Sequence, residues 1–234
     1  LTLPVAILAG GLATRLRPLS DDCPKALVAV AGRPFVEYQL ELLRGQGIED
    51  VVLCVGHLAD RIREHVGDGR AYGVRVRYSL DGGRPLGTAG ALVKAADMLG
   101  DSFLVLNGDT YLDVDHAAVA SAFRTGGRLG LMAVFHNRGA GEPSNARVED
   151  GVIVSYDKRT PGTGAEHVDA GLGALRADAL DLVPDERPAE LADLYRELLR
   201  RDELDAFETN RPYHEIGSPA GLEAFSRRLE GTRA

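Results

Sequence analysis

Leu8-Ala9-Gly10-Gly11-Leu12-Ala13-Thr14-Arg15-Leu16-Arg17-Pro18-Leu19, closed by Pro24-Lys25, is the stretch around which this 234-residue chain is organised. It follows an apolar run from Leu3 to Leu8 that reads as a buried strand. Two adjacent glycines at a strand end make a turn bare of side chains with free backbone N–H groups, which can wrap a phosphate chain closely. Arg15 stands four residues past Gly11, and Lys25 ten past Arg15. A bare turn followed by two cations suits a triphosphate. Two glycines alone would equally suit a strand-to-helix turn with solvated basic residues. A P-loop would need Gly-Lys-Ser/Thr after four spacer residues, where this chain has Ala13-Thr14-Arg15. A dinucleotide fingerprint would need a third glycine and an acid at the end of the second strand, which here ends in Gly56-His57.

Working outward, the pattern is one of short apolar runs alternating with helical spacing. Phe35, Val36, Leu40, Leu42 and Leu43 predict a helix over Pro34 to Gln46, stopped by Gly45 and Gly47. Strands are predicted at Val51 to Val55, Val74 to Tyr78, Phe103 to Leu106 and Leu129 to Phe135. Helices are predicted at Ala59 to Val66, Thr88 to Leu99 with Thr88 as the cap, and His116 to Phe123. Buried strands alternating with helices imply a mostly parallel sheet with helices on both faces. Ligands on such sheets bind beyond the carboxyl ends of the strands, so Gly10-Gly11, Gly56-His57, the Gly82 to Gly87 loop and Asn107-Gly108-Asp109 should meet at one crevice.

Past residue 140 the chain turns β-rich. Ala146 to Glu149 and Val152 to Tyr156 read as a hairpin on Asp150-Gly151, and His167 to Leu175 as a strand interrupted by Gly171 and Gly173. Pro161 to Gly164 reads as a loop, Leu191 to Arg200 and Ala220 to Leu229 as closing helices, and Gly231 as the start of a frayed tail. With no polar linker between the parts, residues 1–234 read as one domain in two parts, 1–135 and 136–234.

Composition narrows the function. Apolar content of 44% and charged content of 26% are ordinary for a globular protein. A net charge of -8 argues against a general nucleic-acid binder, which would be expected to show a basic face. An acidic protein that handles polyphosphates calls for a divalent cation, so Mg2+ is the expected cofactor. Cys23 and Cys54 form no metal pattern, and so few thiols suit a reducing compartment. No apolar run reaches membrane-spanning length and the start lacks a basic head, so a cytoplasmic protein with no membrane partner is expected.

The opening stretch resembles the signature of the sugar-1-phosphate nucleotidyltransferases, or nucleotide-sugar pyrophosphorylases: Gly-Gly-x-Gly-Thr-Arg-Leu-x-Pro-Leu, then Pro-Lys. Ala13 replaces a usual glycine, and Ala26 a frequent second proline. The resemblance implies the Rossmann-like α/β nucleotide-diphospho-sugar transferase fold, a mixed but mostly parallel sheet with a small β-rich sugar-binding lobe. Many members continue into a left-handed β-helix acyltransferase domain, whose hexapeptide repeats are not present here.

It also assigns roles. Leu8, Ala9, Gly10, Gly11, Thr14, Arg15 and Lys25 would hold the nucleotide phosphates, with Pro85, Gly87 and Thr88 at the base. Asp109, after Asn107-Gly108, takes the position of the family's metal-binding acid, with Glu215 standing where relatives carry Asp. Lys158 takes the place of the lysine that holds the sugar phosphate. Asn107, Gly108, Asn145, Asp157, Asp169 and Gly171 would face the sugar. Arg15, Lys25, Asp109 and Lys158 are thus the expected catalytic set. Leu86-Gly87-Thr88-Ala89-Gly90-Ala91 is commonest in guanylyltransferases of mannose and manno-heptose 1-phosphates, and no Gln lies between Tyr78 and Leu92, where uridylyl and thymidylyl enzymes tend to carry one. GTP is therefore the favoured nucleotide, and the run Val55 to Asp60 through Gly67-Asp68-Gly69, which is similar to that of the heptose enzymes, makes D-glycero-D-manno-heptose 1-phosphate the favoured acceptor. Mannose 1-phosphate, then a uridylyl enzyme of N-acetylmuramate 1-phosphate, are the rivals. A binder of nucleotide sugars without turnover is the different class, and a homo-oligomer is left open.

Overall fold

The computed structural model describes residues 2–11, 16, 23–137, 143–158, 164–185 and 188–232. In chain order these form β1 (Val5–Leu8), β2 (Ala29–Val30), β3 (Arg33–Pro34), α1 (Phe35–Gly45), β4 (Asp50–Val55), α2 (Ala59–Val66), β5 (Arg75–Leu80), α3 (Gly87–Leu99), β6 (Ser102–Asn107), β7 (Thr110–Leu112), α4 (His116–Gly126) and β8 (Gly130–His136). Then come β9 (Ala146–Glu149), β10 (Val152–Tyr156), β11 (His167–Arg176), α5 (Leu191–Arg200), β12 (Leu204–Thr209), β13 (Tyr213–Glu215) and α6 (Pro219–Thr232). The predicted alternation through β8 is present, and the helix at the carboxyl end runs through Gly231 instead of fraying before it. The loop at Pro161 to Thr163 lies outside the described residues.

Among the described residues, nine strands form one sheet in the order β5-β4-β1-β6-β11-β8-β12-β10-β9. The β5-β4-β1-β6 half is parallel throughout. β11 enters antiparallel between β6 and β8, so β8 keeps the direction of β6, and β12 runs parallel to β8. The sheet is thus mixed, with most of its strands pointing one way. The hairpin β9–β10 joins its edge, and Asp150 and Gly151 both adopt positive φ (49° and 77°) as a two-residue turn of this hand requires.

Strand β1 shows why an all-apolar run is needed. Val5 and Ile7 pack into a core with Val36 and Leu40 of α1, Ile62 of α2 and Phe123 of α4. Ala6, between them, faces the opposite core with Leu92 of α3 and Leu194 and Leu198 of α5. Each large side chain so buried contributes about 1.5–3 kcal/mol. A smaller cluster of Leu16, Val30, Phe35, Ile216 and Phe225 pins α6 against α1. The chain then leaves β1 to one side for β4 and β5 and returns to the other for β6. That reversal opens a crevice between β1 and β6 at their carboxyl ends.

Helix α4 carries a titratable group in this framework. Asp115 caps it through the Ala118 N–H at 3.0 Å. The next residue, His116, is 1% exposed, and its Nδ1 donates to the Val114 carbonyl at 2.8 Å while Nε2 has no partner among the described residues. Burial lowers its pKa from 6.5, against a weaker upward pull from the Val114 carbonyl and two nearby aspartates. On acidification the unfolded chain takes up a proton that the folded chain resists. Stability should therefore fall as pH drops below 6.5, by at most about 1.4 kcal/mol per pH unit from this group. Thermal denaturation of the wild type and of His116→Phe across that range checks this; the variant should show the shallower dependence.

Candidate active site

The crevice is a cleft of about 880 Å³, within the range of small-molecule sites. The four strand-end segments expected to converge all contribute to its lining. Leu8, Ala9, Gly10, Gly11 and Lys25 line one wall, Pro85, Gly87 and Thr88 another, and Asn107, Gly108 and Asp109 the floor between them. Lys158, Asp169 and Gly171 close the far side. Thr14 and Arg15 lie outside the described residues.

Two glycines are dictated by contact. The Gly108 N–H donates to the Leu8 carbonyl at 3.1 Å, and a Cβ there would stand 2.4 Å from that oxygen. At Gly87, with φ of +73°, a Cβ would stand 2.3 Å from the Ala189 carbonyl oxygen. No other residue permits the backbones to approach so closely.

Lys25, on the short helical turn after Pro24, donates through Nζ to the Asp109 carboxylate. Both side chains are mostly shielded, at 17% and 19% exposure. The Asp109 turn is fixed from beneath by Gln39 of α1, fully buried, whose Nε2 donates to the carbonyls of Asn107 (3.0 Å) and Thr110 (2.8 Å). Glu215 arrives beside Asp109 by strand pairing: it stands opposite Thr110 in β13–β7, and the Ile216 N–H donates to the Asp109 carbonyl at 2.9 Å. Glu215 itself does not line the cleft.

On the far wall, Lys158 Nζ lies 2.8 Å from Asp169. Asp169 is 5% exposed and also accepts from the Tyr156 hydroxyl (3.0 Å) and the Gly171 N–H (2.9 Å). Burial works to raise its pKa, but the Lys158 charge and these hydrogen bonds outweigh it and hold the carboxyl below its usual range. The Asp169 charge in turn raises the Lys158 pKa against desolvation, helped by the nearby charges of Glu215 and Asp109. β11 shifts register between Asp169 and Gly173, and Gly171 takes φ of +76° in that irregularity with Thr110 packed against its Cα.

Several of the expected site residues have partners within the chain. The carboxylate of Asp169 is turned to Tyr156, Lys158 and Gly171. Asn145 does not line the cleft; its Oδ1 accepts from the Asp169 N–H at 2.9 Å. Asp157 lies beside Arg196 of α5 at 3.8 Å, away from the lining. Thr88 is not the cap of α3, which begins at Gly87. Its hydroxyl donates to Glu190 at 2.7 Å and accepts from the Leu191 N–H at 2.7 Å, tying the starts of α3 and α5 together. The Ala89 and Gly90 N–H groups donate to the Ala189 carbonyl at 2.9 and 3.2 Å, so these two first-turn donors are engaged by the chain itself. Glu190, Tyr156, Tyr195 and Asp81 line the cleft without having been singled out. Asp81 has a pKa raised by burial, tempered by the Leu86 N–H.

The Nucleotidyl transferase family matches residues 5–145, from β1 to the Asn145 turn. The chain belongs to that family. This nucleotidyl transferase is 30% identical over 220 residues, 93% of the chain and 94% of the relative, to N-acetylmuramate alpha-1-phosphate uridylyltransferase of Neisseria meningitidis. It is 38% identical over 109 residues, 47% of the chain and 48% of the relative, to D-glycero-alpha-D-manno-heptose 1-phosphate guanylyltransferase of Campylobacter jejuni. A uridylyltransferase and two thymidylyltransferases of glucose 1-phosphate are matched over only 34%, 30% and 44% of their own lengths. Among solved structures, HddC from Yersinia pseudotuberculosis complexed with GMP-PN aligns with a TM-score of 0.80 at 25% identity, over 97% of this chain and 100% of that one. The relatives are sugar-1-phosphate nucleotidyltransferases that differ in both base and sugar. Among the described residues, no helix is long and apolar enough to cross a membrane.

Proposed function

We propose that this nucleotidyl transferase moves a nucleoside monophosphate from a nucleoside triphosphate, GTP in preference, to a sugar 1-phosphate, with a manno-heptose 1-phosphate as the favoured acceptor. One observation carries the reading. Two lysines, Lys25 and Lys158, each held by its own carboxylate, face one cleft at the point where the strand order reverses. Two polyanionic reactants brought together need cations on both sides of the bond being made. Gly10-Gly11, with Arg15, would hold the departing phosphates, Lys25 the α-phosphate, and Lys158 the sugar phosphate.

The chemistry is an in-line displacement. An oxygen of the sugar phosphate attacks the α-phosphorus, the bond to the β-phosphate oxygen breaks, and pyrophosphate leaves. The attacking oxygen is already ionised at neutral pH, so no general base is required. That accords with a cleft whose described lining holds carboxylates and lysines and no serine–histidine pair. The donor set at Asp109 fits a hard divalent cation: a carboxylate on the cleft floor, with Glu215 brought alongside by β7–β13 pairing. Mg2+ held by Asp109 and Glu215 would supply neutralisation of the triphosphate charge.

The preference for GTP is supported by the Leu86 to Ala91 sequence and by likeness to guanylyltransferases of heptose and mannose 1-phosphates. A grid of five nucleoside triphosphates against mannose, glucose, N-acetylhexosamine and heptose 1-phosphates, read as pyrophosphate release, tests it. GTP with heptose 1-phosphate should give the highest kcat/KM. UTP or dTTP ahead of GTP would refute the base preference while leaving the reaction class standing.

A further inference from the structure

Away from the cleft, three ligand-bearing side chains meet on adjacent strands. His136 ends β8 and stands directly opposite His167, which begins β11. Glu208 lies on β12, one residue before the end of its pairing with β8. His167 Nε2 is 3.3 Å from His136 Nδ1 and 3.2 Å from Glu208 Oε2. All three ligand atoms lie within 4.8 Å of one another.

Hydrogen bonding alone leaves this arrangement one donor short. A neutral imidazole has a single N–H. Placed on His167 Nε2, it can serve either the His136 nitrogen or the Glu208 carboxylate, not both with good geometry. Placed on Nδ1, it finds no partner among the described residues, and the Glu208 carboxylate then faces the Nε2 lone pair. A cation at the centre serves all three. A tetrahedral ion with ligands at 2.0–2.1 Å sets them about 3.3 Å apart, which two of the three separations here already match. Two imidazoles and a carboxylate suit zinc-class ions better than magnesium. The paired strands hold the ligands in place, His167 is buried at 5% exposure, and the Glu208 side chain, 56% exposed, leaves an entry path.

We propose that His136, His167 and Glu208 form a site for one divalent transition-metal ion of the zinc class, separate from the cleft. Its effect is mechanical. The His167 carbonyl accepts from the Asn145 N–H at 2.8 Å, Asn145 Oδ1 accepts from the Asp169 N–H, and Asp169 holds Lys158. An ion at His167 braces the start of the strand that carries the wall behind the sugar phosphate.

The test is calorimetric titration of Zn2+ into the chelator-stripped full chain, without substrates and with millimolar Mg2+ present to occupy hard oxygen sites. The expected result is one Zn2+ per chain, with Glu208→Gln and His136→Gln each binding at least about tenfold more weakly, the lower bound for disturbing even the outer partners of metal ligands. Both residues are outside the core, and circular dichroism confirms that the variants fold. Co2+ in place of Zn2+ should give a tetrahedral visible spectrum in the wild type and lose it in both variants. No uptake, or uptake of equal affinity in wild type and both variants, would overturn the site and leave the cluster as a hydrogen-bonded trio.

Discussion

Asp109→Asn should lower kcat by at least about 10²–10³-fold while the protein stays folded, the scale of losing one preorganised charged group at a transition state. The side chain is isosteric and lies in the cleft, so the surrounding backbone, tied by Gln39 and by Gly108 against Leu8, has no reason to move. The substitution removes two things together: the carboxylate proposed to hold Mg2+ and the counter-charge of Lys25. Lys25→Met separates them. It keeps the carboxylate but deprives the α-phosphate of its cation, and a fall of similar size is expected. Steady-state kinetics with circular dichroism check both. Near-wild-type turnover in either variant would place the chemistry elsewhere.

The second large effect concerns the opposite wall. Lys158→Met should reduce kcat/KM for the sugar phosphate by about 10²–10³-fold and leave the KM for the nucleotide nearly unchanged. It should also cost about 1–3 kcal/mol of stability. A fully buried pair broken on one side costs about 3–5 kcal/mol, and the Lys158 side chain, 40% exposed, is partly screened. Asp169→Asn acts through the lysine and should give a smaller loss, about tenfold, in the same kcat/KM for the sugar phosphate. The double variant should be no worse than Lys158→Met alone, because a positioning residue has no effect once its client is gone. The sign with pH follows from the lowered Asp169 pKa. Its stabilising contribution is present above the ordinary value of 3.8 and is lost as pH falls through the depressed one. The pair therefore stays intact at neutral and mildly acid pH.

What could be read in advance divides along physical lines. Short-range signals carried the nucleotide wall. A glycine pair at a strand end, a glycine before Asp109 and the Leu86-Gly87-Thr88 turn are local statements about backbone approach, and each lies where strand ends must converge. Strand β12 was missed because Asp205 interrupts its apolar pattern; that acid is only 8% exposed and is tolerated because Arg128, far away in sequence, pairs with it at 2.7 Å. Glu190 and Thr88 meet across 102 residues, Gln39 and Thr110 across 71, and no local window contains either pair. Asp169 was legible as a site residue, but its partner was not. The family resemblance places Asp169 at the sugar, while Tyr156 and Lys158, which hold its oxygens, arrive from β10 and the residues just after it.

The proposed reaction has the cleft join two phosphates instead of merely binding a nucleotide. It is tested most directly by incubating the chain with GTP, Mg2+ and manno-heptose 1-phosphate and quantifying both products by chromatography. One nucleotide-diphospho-sugar for each pyrophosphate, with both lost in Asp109→Asn, is the predicted result. Nucleotide binding without either product across the grid of triphosphates and sugar phosphates, or release of inorganic phosphate with no nucleotide sugar, would contradict it.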